Sequence, residues 1–190
     1  MAPILETPRL LVRGWTDDDV PPFVEMMGDP CVMEFYEDVT PRDESLALAA
    51  RVREALEHDG YGWFVVEVKG GLPFAGTAVL KAVRFEAHFT PAMEVGWIFT
   101  PEAWHQGFAT EAARALLDYA FETLAWDEVV AMTAAVNMPS RRVMERLGMT
   151  YDPKDDFDNP AVSKGHRLER HVLYRMSSQG WRDSPRSQPL

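Results

Sequence analysis

The run MEVGWIF, beginning at Met93, holds one carboxylate, Glu94, in an otherwise apolar strand. Strand alternation sets Glu94, Gly96 and Ile98 on one face and Met93, Val95, Trp97 and Phe99 on the other. If Glu94 faces a cleft, partial burial raises its pKa toward that of a useful general base; on a solvent face it is an ordinary alternating carboxylate. Gly96 marks either a close backbone approach or a packing position. Further along, WHQGFATEA (Trp104 to Ala112) joins a strand end to a helix start. Such a junction leaves unpaired N–H groups at the positive end of the helix, and Gly107 lets an anionic phosphate come close. A plain turn glycine with Thr110 as a cap is an equal reading. A second junction runs from Asn137-Met138-Pro139-Ser140 to Gly148. Asn137 and Ser140 suit either helix capping or the crevice at the strand ends. Two such junctions in this order point to a ligand site.

The elements that must position these residues are legible as periodicities. RLLVR (9–13) is of strand length, and Thr16 with Asp17, Asp18 and Asp19 opens a helix in which Val20, Phe23, Val24 and Met27 recur at helical spacing. A second helix starts at Thr40, with Pro41 at its first position, and ends at Gly60. YGWFVVEVK, the Gly70-Gly71 turn, PFAGTAVLKAV and MEVGWIF read as an antiparallel meander. From Thr110, the residues Ala113, Leu116, Leu117, Ala120, Phe121 and Leu124 form a helical stripe. EVVAMTAAV is a strand leading to the short helix after Pro139, which suggests a crossover unit. Residues 151–164 have the composition of a loop, RHVLYRM is a last strand, and 177–190 form a polar, mobile tail with Trp181 as its anchor.

Composition bounds the function. The 190 residues suit one domain with a full core. Cys31 is the only cysteine, so no disulfide forms within the chain, and a reducing compartment is expected. A net charge of -11 argues against nucleic acid as a partner. No run approaches the length of a membrane span and no targeting segment opens the chain, so a soluble cytoplasmic protein is expected.

LETPRLLVRGWTDDD, MEVGWIFTPEAWHQGFATEAARALLDYAF, AAVNMPSRRVMERLGM and RHVLYRM together resemble the GNAT superfamily of acyl-CoA N-acyltransferases, and within it the Rim-type enzymes that acetylate N-terminal residues of ribosomal proteins. The resemblance spans the chain except its tail. It implies an α+β fold: a mixed, mostly antiparallel sheet, splayed at its centre and flanked by about four helices, forming a single acyltransferase domain over residues 1–176. It also implies acetyl-CoA as acyl donor, no metal, and a primary amine as acceptor, a protein or peptide N-terminal α-amine in the first place and a small amine in the second. Main-chain groups of Ile98, Phe99 and Thr100 would bond the pantetheine. Amides of His105, Gln106, Gly107, Phe108, Ala109 and Thr110 would take the pyrophosphate. Asn137 would bond the pantetheine region and Ser140 would lie near the thioester sulfur.

Two residues depart from the family pattern. His105 replaces a common loop glycine, either narrowing the approach or offering a cation to phosphate. Met144 replaces a tyrosine proposed as general acid; a thioether cannot donate a proton, so Ser140 is the substitute. Backbone N–H groups around Gly96 and Trp97 could polarise the thioester, and Glu94 could take the amine proton, with His88 as a rival base. Phe35, Tyr36 and Trp63, with Glu94, are the candidates for holding the acceptor. A non-catalytic acyl-CoA-binding module is the other reading, and exposed strand edges make a homodimer plausible.

Overall fold

The computed structural model describes residues 4–184 and begins with two antiparallel strands, β1 (Leu5–Glu6) and β2 (Leu10–Arg13). After Thr16 one 3-10 turn, Asp17–Asp19, leads into α1 (Val20–Gly28), with Pro21 and Pro22 confined to its first turn. Asp19 is buried there because the Arg13 guanidinium donates to both its oxygens, at 2.8 and 3.0 Å, and Thr16 adds its amide and hydroxyl. Helix α2 (Arg42–Asp59) starts just after Pro41, which precedes the helix instead of opening it.

The meander forms as expected from β3 (Trp63–Val68), β4 (Gly76–Ala82) and β5 (Met93–Phe99). β4 begins later than its apolar run because of a bulge: Ala75 N–H donates to the Val66 carbonyl while Gly76 stands opposite Val66. Gly76 has a φ of 144°, and a methyl group there would collide with the Ile98 carbonyl oxygen and the Phe99 Cα. β4 and β5 can approach this closely only because that position carries no side chain.

Helix α3 (Phe108–Asp118) begins two residues before Thr110 and continues as a wide turn over Tyr119–Thr123. Its stripe of Ala112, Ala113, Leu116, Leu117 and Ala120 is fully buried, and the helix packs across β2, β4 and β5. β6 (Glu128–Ala134) then leads into α4 (Met138–Arg146). The 151–164 region is not all loop: β7 (Thr150–Tyr151) and β8 (Phe157–Asp158) each pair with β9 (Arg170–Ser177).

The polar tail is corrected in its first half. Ser177 closes β9, and its hydroxyl caps α5 (Ser178–Asp183) by accepting the Gly180 N–H. Trp181 is 1% exposed and donates from Nε1 to Asp118 at 2.8 Å, so the domain runs past residue 176. Residues 185–190 lie outside the described residues.

All nine strands join one mixed sheet, ordered β1-β2-β3-β4-β5-β6-β9-β7 with β8 beside β9. Every neighbouring pair is antiparallel except β5 and β6, which run parallel and meet at a single register pair, Glu94 with Val130. β5 stays paired with β4 along its whole length, and β6 with β9. Beyond Glu94 the sheet therefore opens between β5 and β6.

Candidate active site

The opening exposes main-chain groups whose identity follows from ladder parity. In an antiparallel pair, alternate residues exchange both hydrogen bonds and those between turn the other way. Val83 N–H donates to Ala92 O and Thr100 N–H donates to Ala75 O, both at 2.9 Å, which fixes the phase at both ends of the β4–β5 ladder. Glu94, Gly96 and Ile98 thus spend their main-chain groups on β4, while Val95, Trp97 and Phe99 direct theirs toward the gap. Of the three expected pantetheine partners, only Phe99 has a main chain turned that way. Thr100 has its amide committed to Ala75 and does not border the cavity, whereas Trp97, whose main chain turns toward the gap, does. The Phe99 carbonyl already accepts the Trp104 indole N–H at 2.8 Å, leaving its N–H free of that contact.

A cavity of about 1010 Å³ follows the gap. At the Phe99 end it is bordered by His105, Gly107, Phe108, Ala109 and Thr110. Gly107 turns the chain into α3 with a φ of 79°, and His105 adopts a φ of 60°, the left-handed conformation that favours glycine. Histidine therefore keeps the backbone course that a glycine would give. Glu111 N–H makes the helix's first bond, to Gly107 O, so the amides of Phe108, Ala109 and Thr110 precede it and have no helical acceptor. Gln106 does not border the cavity; its side chain donates back to the Glu102 carbonyl at 2.7 Å.

α4 supplies the facing wall with Asn137, Ser140 and Met144. Asn137 Oδ1 accepts the Ser140 N–H at 3.1 Å and Nδ2 donates to Thr133 Oγ1 at 2.9 Å, so capping accounts for the side chain and leaves one Nδ2 hydrogen. The Ser140 hydroxyl borders the cavity one helical turn before Met144, which is 2% exposed.

The other end is built around Glu94, whose side chain is 16% exposed and lies opposite Lys81, with Nζ at 3.4 Å. Burial holds its carboxyl above the usual carboxylate range, although Lys81 pulls the other way. A methyl group added to Gly96 would meet nothing nearer than Glu94 Oε1 at 3.9 Å, so Gly96 keeps open space beside the carboxylate and is not a close-packing glycine. Phe35 and Tyr36 border the same end. Tyr36 keeps 45% of its surface open to solvent, yet enclosure within the recess, with the Glu94 charge adding, pushes its hydroxyl up to about 12, so it remains a donor.

Besides Thr100 and Gln106, two expected residues lie elsewhere. Trp63 is away from the cavity: its ring meets Phe23 edge-on and its carbonyl accepts the Trp15 indole N–H at 2.7 Å. His88 is also outside, 3.3 Å from Asp155. Lys81 and His171 border the cavity without having been singled out in the sequence. His171 is buried against Asn159 and the Glu169 carbonyl, and burial holds its imidazole below its ordinary pKa. Only the strand register, which pairs Lys81 with Glu94 and Ala134 with His171, brings either to the site.

Residues 9–150 match the acetyltransferase (GNAT) domain family. The chain is 27% identical over 178 residues to an uncharacterized N-acetyltransferase, YnaD, of Bacillus subtilis, covering 93% of this chain and 98% of that one. It is 31% identical over 164 residues to the FsC-acetyl coenzyme A-N(2)-transacetylase of Aspergillus fumigatus, covering 80% and 67%. The fold is shared with RimL, a ribosomal L7/L12 alpha-N-protein acetyltransferase solved with coenzyme A, at a TM-score of 0.75 and 16% identity over 94% of this chain and 99% of that one. A sheet parted at one strand pair, with a helix N-terminus facing the gap, is the arrangement these relationships explain: the chain belongs to the GNAT family of acetyl-CoA-dependent N-acetyltransferases.

Proposed function

We propose that this enzyme transfers an acetyl group from acetyl-CoA to a primary amine by direct attack on the thioester, with a peptide α-amine as acceptor. The observation that carries the reading is the single Glu94–Val130 bridge, beyond which the main chain of Trp97 and the N–H of Phe99 turn toward a cavity that Phe108, Ala109 and Thr110 also border. The pantetheine amides would extend the β5 ladder at Trp97 and Phe99, and the pyrophosphate would take the helix amides. Glu94 would accept the proton of the attacking amine, directly or through water. The Trp97 N–H would polarise the thioester carbonyl as it becomes an oxyanion. Ser140 would relay a proton to the departing thiolate, its oxygen taking one from water in the cleft as it gives one up, a task the Met144 thioether cannot perform. Phe35 and Tyr36 would form the wall against which the acceptor lies.

A small amine is the second reading, favoured by the 31% identity to a protein named as an N(2)-transacetylase. Mass spectrometry of products from a set of peptides with free or blocked α-amines, run beside small primary amines, separates the two. Acetylation of free peptide α-amines alone supports the first reading. Acetylation of small amines alone overturns it.

A further inference from the structure

The amino-terminal strands reach the turn before α3 through one side chain. Arg9 donates from Nη1 to the Gln106 carbonyl at 2.9 Å, from Nε to Glu111 Oε2 at 2.6 Å, and lies over the Phe108 ring at 4.8 Å. Glu111, on the first turn of α3, accepts in addition the Arg9 main-chain N–H at 3.0 Å and the Thr7 hydroxyl at 2.6 Å. Glu111 is 12% exposed while the Arg9 side chain keeps 41% of its surface open, so the pair is fixed by the hydrogen bonds that converge on Glu111 and not by burial of both partners.

The consequence lies in one peptide plane. In a trans peptide the C=O of one residue and the N–H of the next point in opposite directions. Holding the Gln106 carbonyl toward Arg9 therefore turns the Gly107 N–H away from Arg9. Gly107 borders the cavity, and its φ of 79° belongs to this orientation of the plane; turning the plane over would swing that φ by about 180° to a negative value, which glycine accepts as readily. Within the turn His105 has a φ of 60° and the Gln106 side chain is tied to the Glu102 carbonyl, but the group that holds the Gln106 carbonyl itself is Arg9.

We infer that Arg9, held by Glu111, is a positioning residue for coenzyme binding: it locks the Gln106–Gly107 peptide so that the Gly107 N–H joins the amides that receive the pyrophosphate. This rests on the proposed coenzyme site. Arg9 does not itself border the cavity; it acts through the carbonyl of Gln106.

The test is isothermal titration of wild type, Arg9→Met and Arg9→Lys with CoA and with pantetheine, which lacks the pyrophosphate. Loss of the lock is expected to raise the Kd for CoA about tenfold in Arg9→Met, the scale of one charge-assisted contact, and to leave that for pantetheine unchanged. Arg9→Lys, which keeps a donor for the carbonyl, is expected to recover part of the loss. An unchanged CoA affinity in Arg9→Met overturns the inference, as does equal weakening of both ligands. A wild type that binds CoA no tighter than pantetheine overturns the coenzyme site along with it.

Discussion

Glu94 and Gly96 share one face of β5, and their roles separate by substitution. Glu94→Gln keeps the shape and removes the base, so acetyl transfer is expected to fall by about 100-fold or more while acetyl-CoA binding persists. Because burial raises the Glu94 pKa, the low-pH limb of the wild-type rate profile should lie above the ordinary carboxylate value of 4.5. That limb should vanish in the variant; an unaltered profile would remove Glu94 from the reaction. At Gly96 an added methyl makes only ordinary contacts, so Gly96→Ala should melt with the wild type yet transfer acetyl more slowly, the two being read by calorimetry and a transfer assay. Glu94 was legible in the sequence as a polar residue in an apolar strand, and Gly107 as a glycine before a helix. Trp63 misled because an aromatic on a strand looks the same whether it faces a cleft or, as here, Phe23. Thr100 misled for a different reason: main-chain direction depends on the phase of the ladder, which the Thr100–Ala75 bond settles and no side chain announces.

At the scale of elements, the gap depends on β5 being held on one side only. Gly76 allows β4 to come close enough to do this, and Gly76→Ala forces a methyl group into the Ile98 carbonyl. The variant is expected to lose more than about 2 kcal/mol of stability by denaturant titration. On α3, burial alone would raise the Glu111 pKa, but hydrogen bonds from Thr7 and Arg9 reverse this and hold it below its ordinary 4.5. A lowered folded-state pKa stabilises above the unfolded value and stops doing so as the pH falls through the folded one. Glu111→Gln should thus be less stable than wild type at pH 7, with the difference shrinking below pH 4.5; a difference independent of pH would mean that the charge is not what matters. The longer strands, the two junction helices and their order were readable from periodicity and turn residues, whereas β1, β7 and β8 are two residues each, too short to show a period. The Arg9–Glu111 link was not, because it joins positions far apart in sequence that only the assembled sheet brings together.

For the molecule as a whole, the sheet is two paired sets of strands joined at one bridge, with α3 and α4 facing the opening between them. Helix α5 belongs to this framework, since it plugs Trp181 against α3 through Asp118. Trp181→Ala is expected to cost about 3 to 5 kcal/mol, measured by thermal or chemical unfolding. A polar composition hid this helix, whose single large side chain carries its attachment. The central claim is that the parted strands and the helix N-terminus together receive acetyl-CoA, and calorimetric titration with acetyl-CoA beside adenosine 3′,5′-bisphosphate tests it most directly. Saturable binding of acetyl-CoA, much tighter than that of the nucleotide and weakened by proline at Phe99, which deletes one main-chain N–H facing the gap, is the predicted result. Equal affinity for the two ligands would contradict it, because the opening between β5 and β6 would then contribute nothing to binding.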